Sequence, residues 1–132
     1  MTITHTVWHK DHEFTSSLDH NTISIDGARK KGFGPKALLL AGLAGCSGID
    51  IVDILKKMRV DFSHFSIEVK AAQTEDLPKV YKDIYVAYKL KTDTENEKKV
   101  RNAIDLSLEK YCGVSAMLSK NSPIHYTLEI IK

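Results

Sequence analysis

Two residues in this chain have side chains suited to covalent chemistry, the thiols Cys46 and Cys112, and they stand in very different company. Cys46 closes the apolar run Leu38-Leu39-Leu40-Ala41-Gly42-Leu43-Ala44-Gly45, whereas Cys112 follows Tyr111 where an amphipathic helical pattern runs out. A thiolate attacks electrophilic oxygen or sulfur, and two thiols that meet can exchange electrons through a disulfide. Whether these two act as a pair separates a redox enzyme from an inert fold. The six histidines, His5, His9, His12, His20, His64 and His125, show no helical or Cys-X-X-Cys-type metal spacing, so neither a metal nor another cofactor is expected.

Local chemistry around Cys46 has two readings. Ser47 followed by Asp50 has the form of a capping box, with Gly45 and Gly48 on either side. A break or kink there would place Cys46 at a new helix N-terminus, where exposed N–H groups and the macrodipole favour a thiolate. Alternatively, Gly45, Cys46 and Gly48 are small because another backbone packs closely on them. If the helix continues, Asp50 lies one turn beyond Cys46 and Asp53 about two turns. A carboxylate there either anchors a cation near the thiol or serves structurally, as a cap or as a polar group bonded to a partner chain.

The elements that must position these residues follow from pattern. The length of 132 residues suits a single domain, 1–132, and 42% hydrophobic with 27% charged residues is ordinary for a soluble protein. Nineteen basic and 17 acidic residues give a net charge of +2 and are interspersed apart from Arg29-Lys30-Lys31, so nucleic acid is not an implied partner. No basic segment with an apolar core opens the chain, and the apolar run before Cys46, about ten residues, is too short to span a bilayer. A cytoplasmic protein without a membrane partner is expected, and its cysteines would be free thiols or a transient redox pair. Alternation from Ile3 to Trp8 and the run Thr22 to Ile25 indicate two antiparallel strands with turns at Asp11-His12 and Asp19-His20-Asn21. Pro35 suits a helix start, and the helix that follows is apolar all round, which calls for burial and hence for a second subunit, a homodimer. Phe65-Ile67-Val69-Ala71 and Ile84-Val86-Tyr88-Leu90 read as a hairpin with one buried face. Thr94 and Glu97 offer a capping box for a helix carrying Val100, Ala103, Ile104, Ser107, Leu108 and Tyr111, with Cys112 on its buried side. A last strand points Tyr126, Leu128 and Ile130 inward. The order β-β-α-β-β-α-β defines an α+β domain.

The segment Gly34-Pro35-Lys36-Ala37 through Gly45-Cys46-Ser47-Gly48-Ile49-Asp50, together with Tyr111-Cys112-Gly113-Val114-Ser115, resembles the OsmC/Ohr family of osmotically inducible and organic-hydroperoxide-resistance proteins over nearly the whole chain. That resemblance implies antiparallel sheets wrapped around central helices in an intertwined homodimer with its active sites at the subunit interface. It also implies roles: Cys46 attacks a hydroperoxide and Cys112 resolves the product as a disulfide, which an external thiol reductant then reduces. An apolar pocket drawing on Leu39, Leu43 and Met117 or Tyr111 would favour an organic hydroperoxide.

Departures from the family pattern bear on that chemistry. Peroxidase members carry a glutamate just after the proline that opens the cysteine helix, where this chain has Lys36, and an arginine from the N-terminal strands, where this chain has none before Arg29. Arg29, Lys10 or Lys36 could supply charge, although a lysine lacks the bidentate fork of arginine. Two functions are therefore carried forward. One is a thiol-dependent hydroperoxide reductase acting in oxidative stress defence. The other is a non-peroxidatic OsmC-like dimer that binds a small apolar or thiol-containing molecule at the subunit interface.

Overall fold

The computed structural model describes residues 1–132 and has two compact units, Met1–Leu40 and Ala41–Lys132. The first holds an antiparallel sheet of β1 (His5–Lys10), β2 (Glu13–Leu18) and β3 (Asn21–Asp26) in that order. The turns fall at the two expected places, and Asp11 and Asp19 take the left-handed backbone there with φ of 47° and 54°, a conformation that aspartate tolerates in tight hairpins. Strand β2 was not evident from sequence, because Glu-Phe-Thr-Ser-Ser-Leu offers only Phe14 and Leu18 as apolar signals. Its register pairs Trp8 with Phe14 and Phe14 with Ile25. Trp8, Phe14, Leu18 and Ile23 thus share one face, and all four are exposed. After β3 the chain folds back through Gly32, where a Cβ would sit 2.4 Å from the Ser24 carbonyl oxygen, so only glycine permits the approach that lets Phe33 N–H bond that oxygen.

Helix α1 (Ala37–Lys57) is unbroken for 21 residues, about 31 Å at 1.5 Å per residue. Of the two readings of this segment, the break at Ser47 does not occur. Ser47 is fully buried, and its hydroxyl meets Tyr88 and Ser107 instead of capping a helix end. Leu43, Ser47, Ile51 and Leu55, one residue per turn, are the buried stripe, while Leu39 and Ile49 are exposed at 47% and 66%. Unbroken, α1 is long and apolar enough to cross a membrane by length and composition alone. Within this chain its buried residues are confined to the one stripe, and only 22% of its apolar window is covered.

In the second unit, β4 (Ser63–Gln73), β5 (Tyr81–Lys91) and β6 (Ile124–Ile131) form a sheet in sequence order. Strand β5 lies in the middle and buries Ile84, Val86, Tyr88 and Leu90 on one face, as its alternation predicts. The β4–β5 pair is the expected antiparallel hairpin, but β6 runs parallel to β5, because the chain returns through a helical crossover. That crossover begins with a 3-10 turn, Thr94–Asn96, rather than a Thr94–Glu97 capping box. Glu97 pairs with Arg101 at 3.1 Å. Helix α2 (Glu97–Leu106) buries Val100, Ala103 and Ile104, then widens into a π-helical turn at Ser107–Tyr111 before the short helix α3 (Gly113–Leu118).

Candidate active site

Helix α1 carries Cys46 half-buried in its middle, and the junction between the π-helical turn and α3 holds Cys112 at 3% exposure. Both are free thiols, and they lie near enough for Cys46 to act on the Cys112 thiol across 66 positions of sequence. The structure therefore brings together the two residues singled out from the sequence. Of the two, it is Cys112 that caps a helix. Cys46 is interior to α1, whereas Cys112 is the residue at which α3 starts, its sulfur accepting the Ser115 N–H at 3.3 Å. Burial pushes the Cys112 thiol above its ordinary range, and the neighbouring Cys46 adds to this, while the Ser115 N–H opposes it. Ser115 also ties this corner to the preceding turn through its hydroxyl, 3.0 Å from the Leu108 carbonyl.

Beneath the thiols runs a chain of polar groups in the apolar core. The Tyr88 hydroxyl, from the middle strand, lies 2.7 Å from Ser47 Oγ. Ser107, the first residue of the π-helical turn, directs its hydroxyl at Ser47 Oγ (2.9 Å) and Asp50 Oδ2 (3.0 Å). Tyr88, Ser47 and Ser107 are at most 1% exposed, yet no buried side-chain nitrogen or oxygen lacks a partner. Such a network is stabilising only when every member is satisfied. Burial pushes the Tyr88 phenol up to about 12, so it stays neutral at physiological pH and remains available as a hydrogen-bond donor. Asp50 serves structurally, as one of the two readings held, but it is bonded to Ser107 of its own chain and caps nothing.

Outward from Asp50, a groove of about 430 Å³ is lined by Asp53, Ile54, Lys57, Met58, Leu106 and Tyr111 as well as Asp50 itself. Tyr111 lines this groove, but neither cysteine does, so it is not the apolar pocket expected beside the thiols. Leu43 is fully buried core, and Met117 is 67% exposed. A Cβ at Gly42 or Gly45 would meet nothing, and one at Gly48 would meet only the Ile67 side chain, so within the chain no second backbone packs on this small-residue face.

Sequence reasoning counted Ser107 with an apolar stripe and read Ser47 as a cap. The available signal was positional: each is a hydroxyl at a helical spacing otherwise held by Leu, Ile, Val and Ala, and a buried hydroxyl requires a partner.

A family model described as OsmC-like protein matches residues 27–127. Protein YhfA of Escherichia coli (strain K12) is 29% identical over 116 residues, 88% of this chain and 87% of that protein. Among solved structures, an OsmC-like protein from Mycoplasma pneumoniae matches with a TM-score of 0.88 at 19% identity, covering 100% of this chain and 98% of that one. The organic hydroperoxide resistance protein OhrB of Bacillus subtilis matches with a TM-score of 0.66 at 18% identity, covering 98% of each. These two structures share the fold. With the family model spanning residues 27–127, the chain belongs to the OsmC-like protein family.

Proposed function

We propose that the protein is a thiol-dependent hydroperoxide reductase, with Cys46 as the peroxidatic and Cys112 as the resolving cysteine, working as a single OsmC-like domain in a soluble, cytoplasmic homodimer. The observation that carries this reading is that two free thiols so distant in sequence are near enough to act on one another. Cys46 is the more accessible of the two, as the attacking residue must be, and Cys112 is the sheltered one. In the first step the Cys46 thiolate attacks the distal oxygen of ROOH. The O–O bond breaks, the alkoxide takes a proton and leaves as ROH, and Cys46 becomes a sulfenic acid. The Cys112 sulfur then attacks the Cys46 sulfur, the S–O bond breaks, and the hydroxyl leaves as water after gaining a proton. An external dithiol reduces the resulting disulfide, regenerating both thiols as it becomes a disulfide itself.

A second subunit is supported by apolar surface that the chain leaves uncovered. Trp8, Phe14, Leu18 and Ile23 crowd one face of the first sheet, and Leu39 and Ile49 stand out from α1. Contiguous apolar faces of this kind mark interaction surfaces.

Lys36, in the position where peroxidase relatives place a glutamate, favours a second reading, a dimer that binds a small apolar or thiol-containing molecule without reducing peroxides. The two readings separate in one assay. Purified protein with dithiothreitol should consume cumene hydroperoxide, and Cys46→Ser should abolish that turnover. Equal consumption by the two proteins removes the peroxidase reading.

A further inference from the structure

Ser107 is bonded both to the turn that carries Cys112 and to residues that follow Cys46 on α1. Its side chain bonds Ser47 and Asp50, which flank Cys46 on α1 at positions +1 and +4. Its main-chain carbonyl accepts the N–H of Cys112 at 2.7 Å, across the wide turn that a π-helical segment makes. The residue is fully buried, so the contacts are made in the core, where a hydrogen bond holds geometry more strictly than at a surface. Single π-helical turns inside helical segments recur at functional sites. This one begins at Ser107 and ends against Cys112.

We infer that Ser107 is a positioning residue for the thiol pair, registering the Cys112 turn against the Cys46 helix through its hydroxyl and its carbonyl at once. This rests on the reading of Cys46 and Cys112 as a redox pair and adds what holds them in reach. A disulfide forms only within narrow limits of sulfur approach and dihedral angle. A displacement near 1 Å can cost a reaction on the order of 10²-fold, so loss of one anchoring hydroxyl should register clearly. Without it, Leu43 and Ile51 of α1 and Val100 and Ile104 of α2 would stay in the core, but the register of the two segments would no longer be fixed at the thiols.

The test measures the equilibrium between the full-length protein and glutathione, which needs no peroxide. Cys46 and Cys112 give up two protons and two electrons as the disulfide forms, and one glutathione disulfide takes them up as two glutathiones. The ratio defines an effective concentration for the pair. Ser107→Ala should lower that effective concentration about tenfold, in keeping with the loss of orientation that misplacement brings. Asp50→Ala, which removes the bond from its other end, should lower it in the same direction, and Asp50→Asn, which keeps an acceptor oxygen, should restore it. Val100→Ala truncates a buried side chain on α2 away from the network and should leave the value within about threefold of wild type at a temperature where all variants are folded. An unchanged value in Ser107→Ala overturns the inference, as does an equal fall in Val100→Ala, which would make the effect one of general packing. Failure of the wild type to form the disulfide at all overturns the redox pair and this inference together.

Discussion

The Tyr88–Ser47 contact can be tested by a thermodynamic cycle whose outcome depends on which partner is removed first. In Tyr88→Phe the phenol oxygen is lost, and Ser47 keeps its 2.9 Å contact with Ser107, so nothing is left orphaned. The cost is one net hydrogen bond, about 1 kcal/mol. In Ser47→Ala the phenol remains in a core where Tyr88 is 1% exposed, with its partner at 2.7 Å gone. An unsatisfied buried group of this kind costs about 1–3 kcal/mol, on top of the lost bond. The double variant has lost the bond but leaves no phenol unpaired, so it should be more stable than Ser47→Ala alone, by about the orphan penalty. A coupling of about 2–3 kcal/mol is expected, at the upper end of the range seen for contacting residues. Urea unfolding followed by circular dichroism would measure it, with all four proteins at one protomer concentration and with reductant present, so that neither assembly nor a disulfide shifts the comparison. Additivity to within about 0.3 kcal/mol would refute the reasoning, because it would mean that the phenol finds water or another partner once Ser47 is gone.

Two pH dependences follow from the structure. The second chemical step should accelerate with rising pH, because burial holds the Cys112 thiol above its ordinary 9.0 and only its thiolate attacks. Stopped-flow detection of disulfide closure after a single peroxide pulse should show a rate still climbing past pH 9, and a plateau near neutrality would contradict it. The first sheet should carry an acid-sensitive element at Asp26, whose carboxylate accepts the N–H groups of Ala28, Lys31 and Lys30 and is held below its ordinary 3.8. A depressed folded value stabilises the fold above the unfolded value, and that stability is lost as pH falls through the folded one. Asp26→Asn should therefore flatten the decline in stability below about pH 4 that wild type shows in acid titrations. A wild-type profile already flat there would count against it.

The legible parts of this fold were those where one physical cause dominates. Ile84, Val86, Tyr88 and Leu90 alternate because β5 has one face in the core, and the structure buries those four. The turns at Asp11 and Asp19 announced themselves through residues that accept a left-handed backbone. Misreadings came where a local signal had a distant competitor. Ser47 and Asp50 spell a capping box to a reader of neighbours, but Tyr88 and Ser107, 41 and 60 positions away, claim their oxygens and let α1 run on. The parallel docking of β6 on β5 was equally hidden, since alternation reports which face of a strand is buried and nothing about its direction. Cys46 and Cys112 were recognisable as candidates from their surroundings, whereas their proximity is a product of the whole second unit.

The π-helical turn has a consequence for how this segment can vary. Between Ser107 and Cys112 the main chain closes a five-residue step, with the Cys112 N–H on the Ser107 carbonyl. An α-helix would close the same step in four, so deleting one residue between them would swing every position beyond it by about 100° around the axis. Leu108, Glu109, Lys110 and Tyr111 are half-buried or exposed, and single exchanges among them leave that step intact. The segment is therefore tolerant of spelling and intolerant of length: it acts as a spacer whose count of residues, more than their identity, aims the sulfur that follows.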